Sequence, residues 1–77
     1  MNWSAVILDV LEERGESMTL TQIYAEIRSK PIIEPHHLEI WGNQPNYHHW
    51  VRSEIAKLKQ TGKVKQTARA TYRFVHH

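Results

Sequence analysis

Six histidines stand in three adjacent pairs, His36-His37, His48-His49 and His76-His77. Imidazole is the side chain most suited to metal ligation and proton transfer near neutral pH. Neighbouring residues on a helix diverge by about 100°, so an adjacent pair seldom holds one ion. Helical zinc motifs use i, i+3 or i, i+4 spacing, which none of these pairs has. The chain has no cysteine. A structural zinc would therefore need histidines from separate segments plus Glu34 or Glu39. No metal and no cofactor are expected. There is also no nucleophile elbow, P-loop or His-Glu-x-x-His, and no carboxylate is paired with a histidine by spacing. The expectation is a non-catalytic domain, which would become part of an enzyme only beside a separate catalytic domain.

The remaining residues able to do chemistry are cations, and they are unevenly placed. Residues 1–42 carry Arg14, Arg28 and Lys30 against seven acids, a balance of −4. Residues 43–77 carry Arg52, Lys57, Lys59, Lys63, Lys65, Arg69 and Arg73 against Glu54 alone, a balance of +6. A dipolar molecule of this kind turns its basic pole toward a polyanion and releases counterions there. A solvated basic surface without a ligand would show the same count. The order of motifs around the cations decides between the two.

Tyr47 to Gln60 follows a helical period. On a wheel, Val51, Ile55 and Leu58, with Tyr47 beside them, form the core stripe. His49, Ser53, Ala56 and Gln60 lie opposite. Arg52 and Lys59 flank that face on one edge, Lys57 and Trp50 on the other. A major groove admits one helix. Arg can bridge guanine O6 and N7, Gln can bridge adenine N6 and N7, and His and Ser can make single bonds. Ala56 leaves room for close approach or a thymine methyl. Lys57, Lys59, Lys63, Lys65, Arg69 and Arg73 suit phosphates, which position without reading sequence. Arg69 suits a neighbouring minor groove. His48 and His49 stand at the positive end of the helix dipole, which opposes their protonation. A nearby phosphate would favour it, so binding is expected to tighten as pH falls through the histidine range.

The elements that must hold this face are legible in outline. Ala5 to Arg14 reads as a first helix, with Ser4 as N-cap, Trp3 stapled on Leu8, and Gly15 as the stop. Glu16 to Met18 can add a very short strand. Thr19 with Gln22 is a capping box for a second helix that ends at Pro31, with Leu20, Ile23, Tyr24 and Ile27 facing the core. Residues 30–46 are proline-rich yet carry Ile32, Ile33, Leu38, Ile40 and Trp41. They read as a structured connection with a short helical turn from Pro35 to Trp41, stopped by Gly42. Its apolar residues either cover the core or form a patch for a protein partner or a homodimer through 32–41. Trp50 is expected against the ribbon or this connection. The third helix runs from Pro45 or Tyr47 to Thr61, capped by Asn46 or Asn43 and stopped by Gly62. Val64–Gln66 and Thr71–Val75 form a hairpin around Thr67-Ala68-Arg69-Ala70.

Helix, short strand, helix, connection, helix, strand, strand is the order of a winged helix-turn-helix. The expected fold is thus α+β: three helices with a small antiparallel sheet made of a short strand and a C-terminal hairpin wing. Seventy-seven residues form one domain, 1–77. No apolar run suits a membrane span, and no leader pattern opens the chain. A cytoplasmic location without membrane partners is expected. His76-His77 fits a native end or a purification tag.

The residues His49-Trp50-Val51-Arg52, Ile55, Leu58, Gly62-Lys63-Val64 and Tyr72-Arg73-Phe74 resemble a winged-helix group. It is similar to the N-terminal domain of Mrr-type restriction proteins, to winged helices attached to HNH endonucleases, and to HARE-HTH domains. Met18-Thr19-Leu20-Thr21-Gln22-Ile23-Tyr24 matches the start of their second helix. The resemblance spans about residues 4–75. It implies binding to double-stranded DNA, as a regulator or as the specificity module of a restriction-type nuclease. The chain departs from the group at Ala68-Arg69-Ala70, where many relatives have glycine, and in its longer, more apolar connection. The other expectation is a protein-interaction winged helix that uses residues 32–41 or the acidic first helix.

Overall fold

The computed structural model describes residues 2–75, so the His76-His77 reading lies outside the described residues. Helix α1 spans Trp3–Arg14. Its N-cap is Asn2, whose side chain accepts the Ala5 N–H at 2.8 Å. The cap expected at Ser4 is displaced by two residues, because Asn2 caps as well as Ser. Ser4 is left inside the helix, and its hydroxyl donates to Glu54 Oε2 at 2.7 Å. Trp3 is also helical and so is not a staple preceding the cap. Gly15 ends α1 with φ 72°, a left-handed angle that suits glycine, and donates to the Leu11 carbonyl.

Strand β1 is Met18–Thr19, so it starts two residues and ends one residue later than the expected Glu16 to Met18. Thr19 also caps α2, Leu20–Arg28, through the full capping box: Thr19 Oγ1 accepts the Gln22 N–H, and Gln22 Oε1 accepts the Thr19 N–H. This helix stops at Ser29, before Pro31 acts, and the Ser29 hydroxyl turns back to the Glu26 carbonyl.

The connection differs most from expectation. A 3-10 turn covers only Pro35–Leu38. The chain then extends as β2, Ile40–Trp41, and returns as β3, Gln44–Pro45. These strands pair antiparallel, with Ile40 opposite Pro45 and Trp41 opposite Gln44. Gly42-Asn43 forms a two-residue turn that ends the helical path early, with Gly42 at φ 71°. Ile32 and Ile33 pack against the core, whereas Leu38, Ile40 and Trp41 are exposed.

Helix α3 is Asn46–Gln60. Pro45 holds the cap position with no side-chain cap. Neither expected asparagine caps it. Asn46 is instead a buried first residue whose backbone N–H donates to the Glu39 carbonyl at 2.7 Å and whose Nδ2 donates to the His36 carbonyl. The carboxyl end closes with Lys63 donating to Leu58 and Gly62 to Lys59, a double bond pattern that turns the chain sharply into β4.

Strands β4, Val64–Ala68, and β5, Thr71–Phe74, form the ribbon. The tip is shorter than expected, Arg69-Ala70 alone, with a bulge between Gln66 and Ala68. The sheet order is β1-β5-β4, all antiparallel. Val6, Ile7, Val10 and Leu11 of α1, Ile23 and Ile27 of α2, and Tyr47, Val51, Ile55 and Leu58 of α3 form one core with Met18 and Val64. The architecture is α+β, with three helices and two small antiparallel sheets. Among the described residues no helix is long and apolar enough to cross a membrane.

Candidate nucleic-acid interface

The core stripe of α3 sets what its other side can present. With Tyr47, Val51, Ile55 and Leu58 buried, His49, Arg52, Ser53, Ala56, Lys59 and Gln60 are all exposed. Glu54 is the one acid after residue 42. It is turned toward α1, where it accepts from Ser4 and lies 3.5 Å from Lys57 Nζ. The outward face of α3 therefore carries no carboxylate. Lys57 is exposed, but this ion pair draws it to the α1 side of the helix.

His48 is placed differently from His49. Its ring lies flat on Tyr24 of α2, centroids 3.7 Å apart and planes 7° from parallel, with Tyr47 edge-on at 4.6 Å. Burial lowers the His48 pKa, and the Arg52 guanidinium one turn along lowers it further. Burial raises the Tyr24 phenol while Arg52 lowers it. His48 is thus a packing group between two helices that favours its neutral form. The expected tightening with acid loses His48 as its source. The sequence placed Tyr24 in the core by helical spacing. No periodicity signals that its ring supports His48 and sits in the field of Arg52.

Lys59 spans from α3 to the ribbon: its Nζ donates to Gln66 Oε1 at 2.9 Å. Gln66 Nε2 donates in turn to the Ala68 carbonyl across the bulge. Gln66 thereby ties the helix to the ribbon, a role the sequence reading missed because it joins residues on different elements. Ser17 and Thr67 share a hydroxyl hydrogen bond of 2.8 Å that holds the ribbon to the segment before β1. The Ala70 carbonyl accepts from Leu20 N–H, so the tip is anchored on the first turn of α2.

Lys63, Lys65, Arg69 and Arg73 are all exposed. Lys65 and Arg73 are direct cross-strand partners. Directly opposed residues share a sheet face, and like charges there destabilise the pair. Period-two alternation puts this pair on the face opposite Val64 and Phe74, away from α3. The cations thus divide between the helix side, with Lys59, and the outer ribbon face. Lysine on an edge strand also guards against pairing with other chains. That accounts for Lys65 on β4 but not for Arg73, which stands on the central strand β5. Lys59, Gly62, Val64, Lys65, Gln66 and Val75 line an open groove between the end of α3 and β4.

Trp50 stacks on Trp3 of α1, at 6.4 Å and 12°, and Trp3 meets His37 edge-on at 5.1 Å. Trp50 therefore packs on the first helix, and Trp3 carries the stack on to His37 of the connection. Among the described residues no group of three His, Asp or Glu side chains could hold a metal ion. Comparison of the chain with protein-family models, with curated proteins and with solved structures found no match.

Proposed function

We propose that the chain is a winged helix that binds double-stranded DNA, with α3 in the major groove and the β4–β5 ribbon as the wing. The observation that carries this reading is unbalanced positive charge. Lys65 faces Arg73 across a ribbon that holds no acid, and Glu54 is turned to α1. A protein surface without a ligand gains nothing from opposed cations; a phosphate backbone neutralises them. The strand order β1-β5-β4, with α3 leading directly into β4, supports the same reading. In it, Arg52, Ser53, Ala56, Gln60 and His49 face the bases, and Lys59, Lys63, Lys65, Arg69 and Arg73 hold phosphates. The domain would act without catalysis, as a regulator or as the specificity module of a restriction-type nuclease. In this reading the acidic first half of the chain is the pole that turns from the duplex and orients the approach.

Titration of labelled protein with duplex DNA, single-stranded DNA and RNA tests this. Duplex should bind best, with a log–log salt slope of roughly −4 to −6 for five or six phosphate contacts. Arg52→Ala should lower duplex affinity by about ten- to a hundredfold and relax sequence preference, as for a base-reading arginine. Arg69→Ala should reduce the slope by about one. If neither substitution changes a measured duplex affinity, the assigned face is wrong.

A further inference from the structure

We propose that the free edge of β2 pairs antiparallel with β2 of a second copy of this chain, about a two-fold axis at Ile40. Among the described residues the β2–β3 ribbon is a two-stranded sheet, with no third strand on either outer edge. Facing residues in an antiparallel pair alternate between exchanging hydrogen bonds with the neighbour strand and pointing their N–H and C=O outward. Glu39 accepts the Asn46 N–H, so Ile40, one residue on, turns its N–H and C=O to the open edge. Opposite it stands Pro45, which has no N–H, so the β3 edge is blunted where the β2 edge is not. An open edge without lysine or proline is a template for a further strand.

The side chains on this ribbon are those of an interface. Ile40 is 62% and Trp41 59% exposed, on opposite faces of β2. Leu38 and Trp50, in the segments leading into and out of the ribbon, are exposed as well. Together the four present on the order of 400 Å² of apolar surface, scaled from the area such side chains bury. Because Ile40 and Trp41 lie on opposite faces of β2, this area is divided between the two sides of the ribbon; its total is about half of the ~800 Å² per copy that a stable interface needs, so the pairing is weak.

Charge excludes the polyanion as occupant. No lysine or arginine lies between Pro31 and Val51, where Glu34 and Glu39 are the charged residues. A two-fold centred on Ile40 sets Ile40 against Ile40 of the second copy. Glu39 then lies opposite Trp41 of the second copy, so the two Glu39 carboxylates are not paired. Because α3 starts directly after β3, the axis also relates the amino ends of two α3 helices. Where DNA reading holds, the target is then palindromic; that consequence rests on the proposed function, whereas the dimer does not.

Sedimentation equilibrium of the 77-residue chain without DNA tests the pairing, over about 10 μM to 1 mM, the range of weak self-association. The mass should rise from 9.1 kDa toward twice that value. Ile40→Lys and Trp41→Ser should each raise the dimer dissociation constant at least about tenfold, the effect of losing an interface anchor. Both side chains are more than half exposed, so the thermal melts of the variants should match the parent's. A monomer throughout the range overturns the proposal, and so does a dimer that survives both substitutions together. Duplex binding by the monomeric variants, measured in parallel, separates failure of the dimer from failure of DNA reading.

Discussion

At the scale of single residues, Ala70 and His37 carry the most physical information. Ala70 has φ 52°, a left-handed angle that glycine adopts without a steric penalty. The two-residue tip Arg69-Ala70 requires it, and the Leu20 N–H holds the Ala70 carbonyl in place. Ala70→Gly should therefore stabilise the fold by about 0.5–1 kcal/mol, the steric relief less the added chain entropy. Thermal unfolding should show a rise of a few degrees. His37 is buried against Trp3, and its Nδ1 accepts the Glu34 N–H at 3.0 Å, so the ring is neutral with its proton on Nε2. Burial lowers its pKa and His36 lowers it further, while Glu34 opposes them. His48 shifts the same way. With folded pKa values below the unfolded value of about 6.5, the unfolded chain binds more protons as pH falls through that range. Stability is thus full above pH ~6.5 and is lost on acidification below it. The urea midpoint should be lower at pH 5.5 than at 7.5, and His37→Gln should shrink that difference; equal midpoints would sink the account.

At the scale of elements, caps and turns decide where helices begin and strands return. The capping box at Thr19 and the glycine stop at Gly62 were readable because both are local: each involves residues within one turn. Asn2 and Ser4 are equally good caps by type, and only packing chose between them. Ser4 inside α1 reaches Glu54, fifty residues away, a bond no local rule anticipates. Asn2→Ala should cost about 1 kcal/mol, the usual loss for a cap, and lower the melting temperature by roughly 4–8 °C in a domain of this size. If Asn2→Ala melts like the parent, the α1 start is placed wrongly. The β2–β3 ribbon was missed because two-residue strands have too few positions to show a period of two.

At the scale of the molecule, the uneven charge becomes a polarity of the fold. The seven acids of residues 1–42 belong to elements other than α3 and the β4–β5 ribbon, and Glu54 accepts from Ser4 of α1. The core that fixes this polarity is small, a dozen buried apolar side chains. In a chain of 77 residues each is a large part of the total. Ile55→Ala, at the centre of the α3 stripe, should cost about 2–5 kcal/mol, a large share of a small domain's stability. Circular dichroism should show a partly or wholly unfolded chain at 37 °C. A variant that stays folded with an unchanged melt would mean that α3 is not held by this stripe.

The sequence by itself determined the three helices, the α3 core stripe, the acid-poor carboxyl half and the hairpin. All follow from periodicity, caps and charge counts within one segment. Tertiary structure alone decided the fate of particular side chains. Stacking on Tyr24 made His48 a packing group, and Gln66 became the link from Lys59 to the ribbon. It also paired Lys65 with Arg73 and left Ile40 and Trp41 uncovered. These outcomes depend on which elements meet in space, and a linear spacing rule contains no information about residues brought together from distant segments.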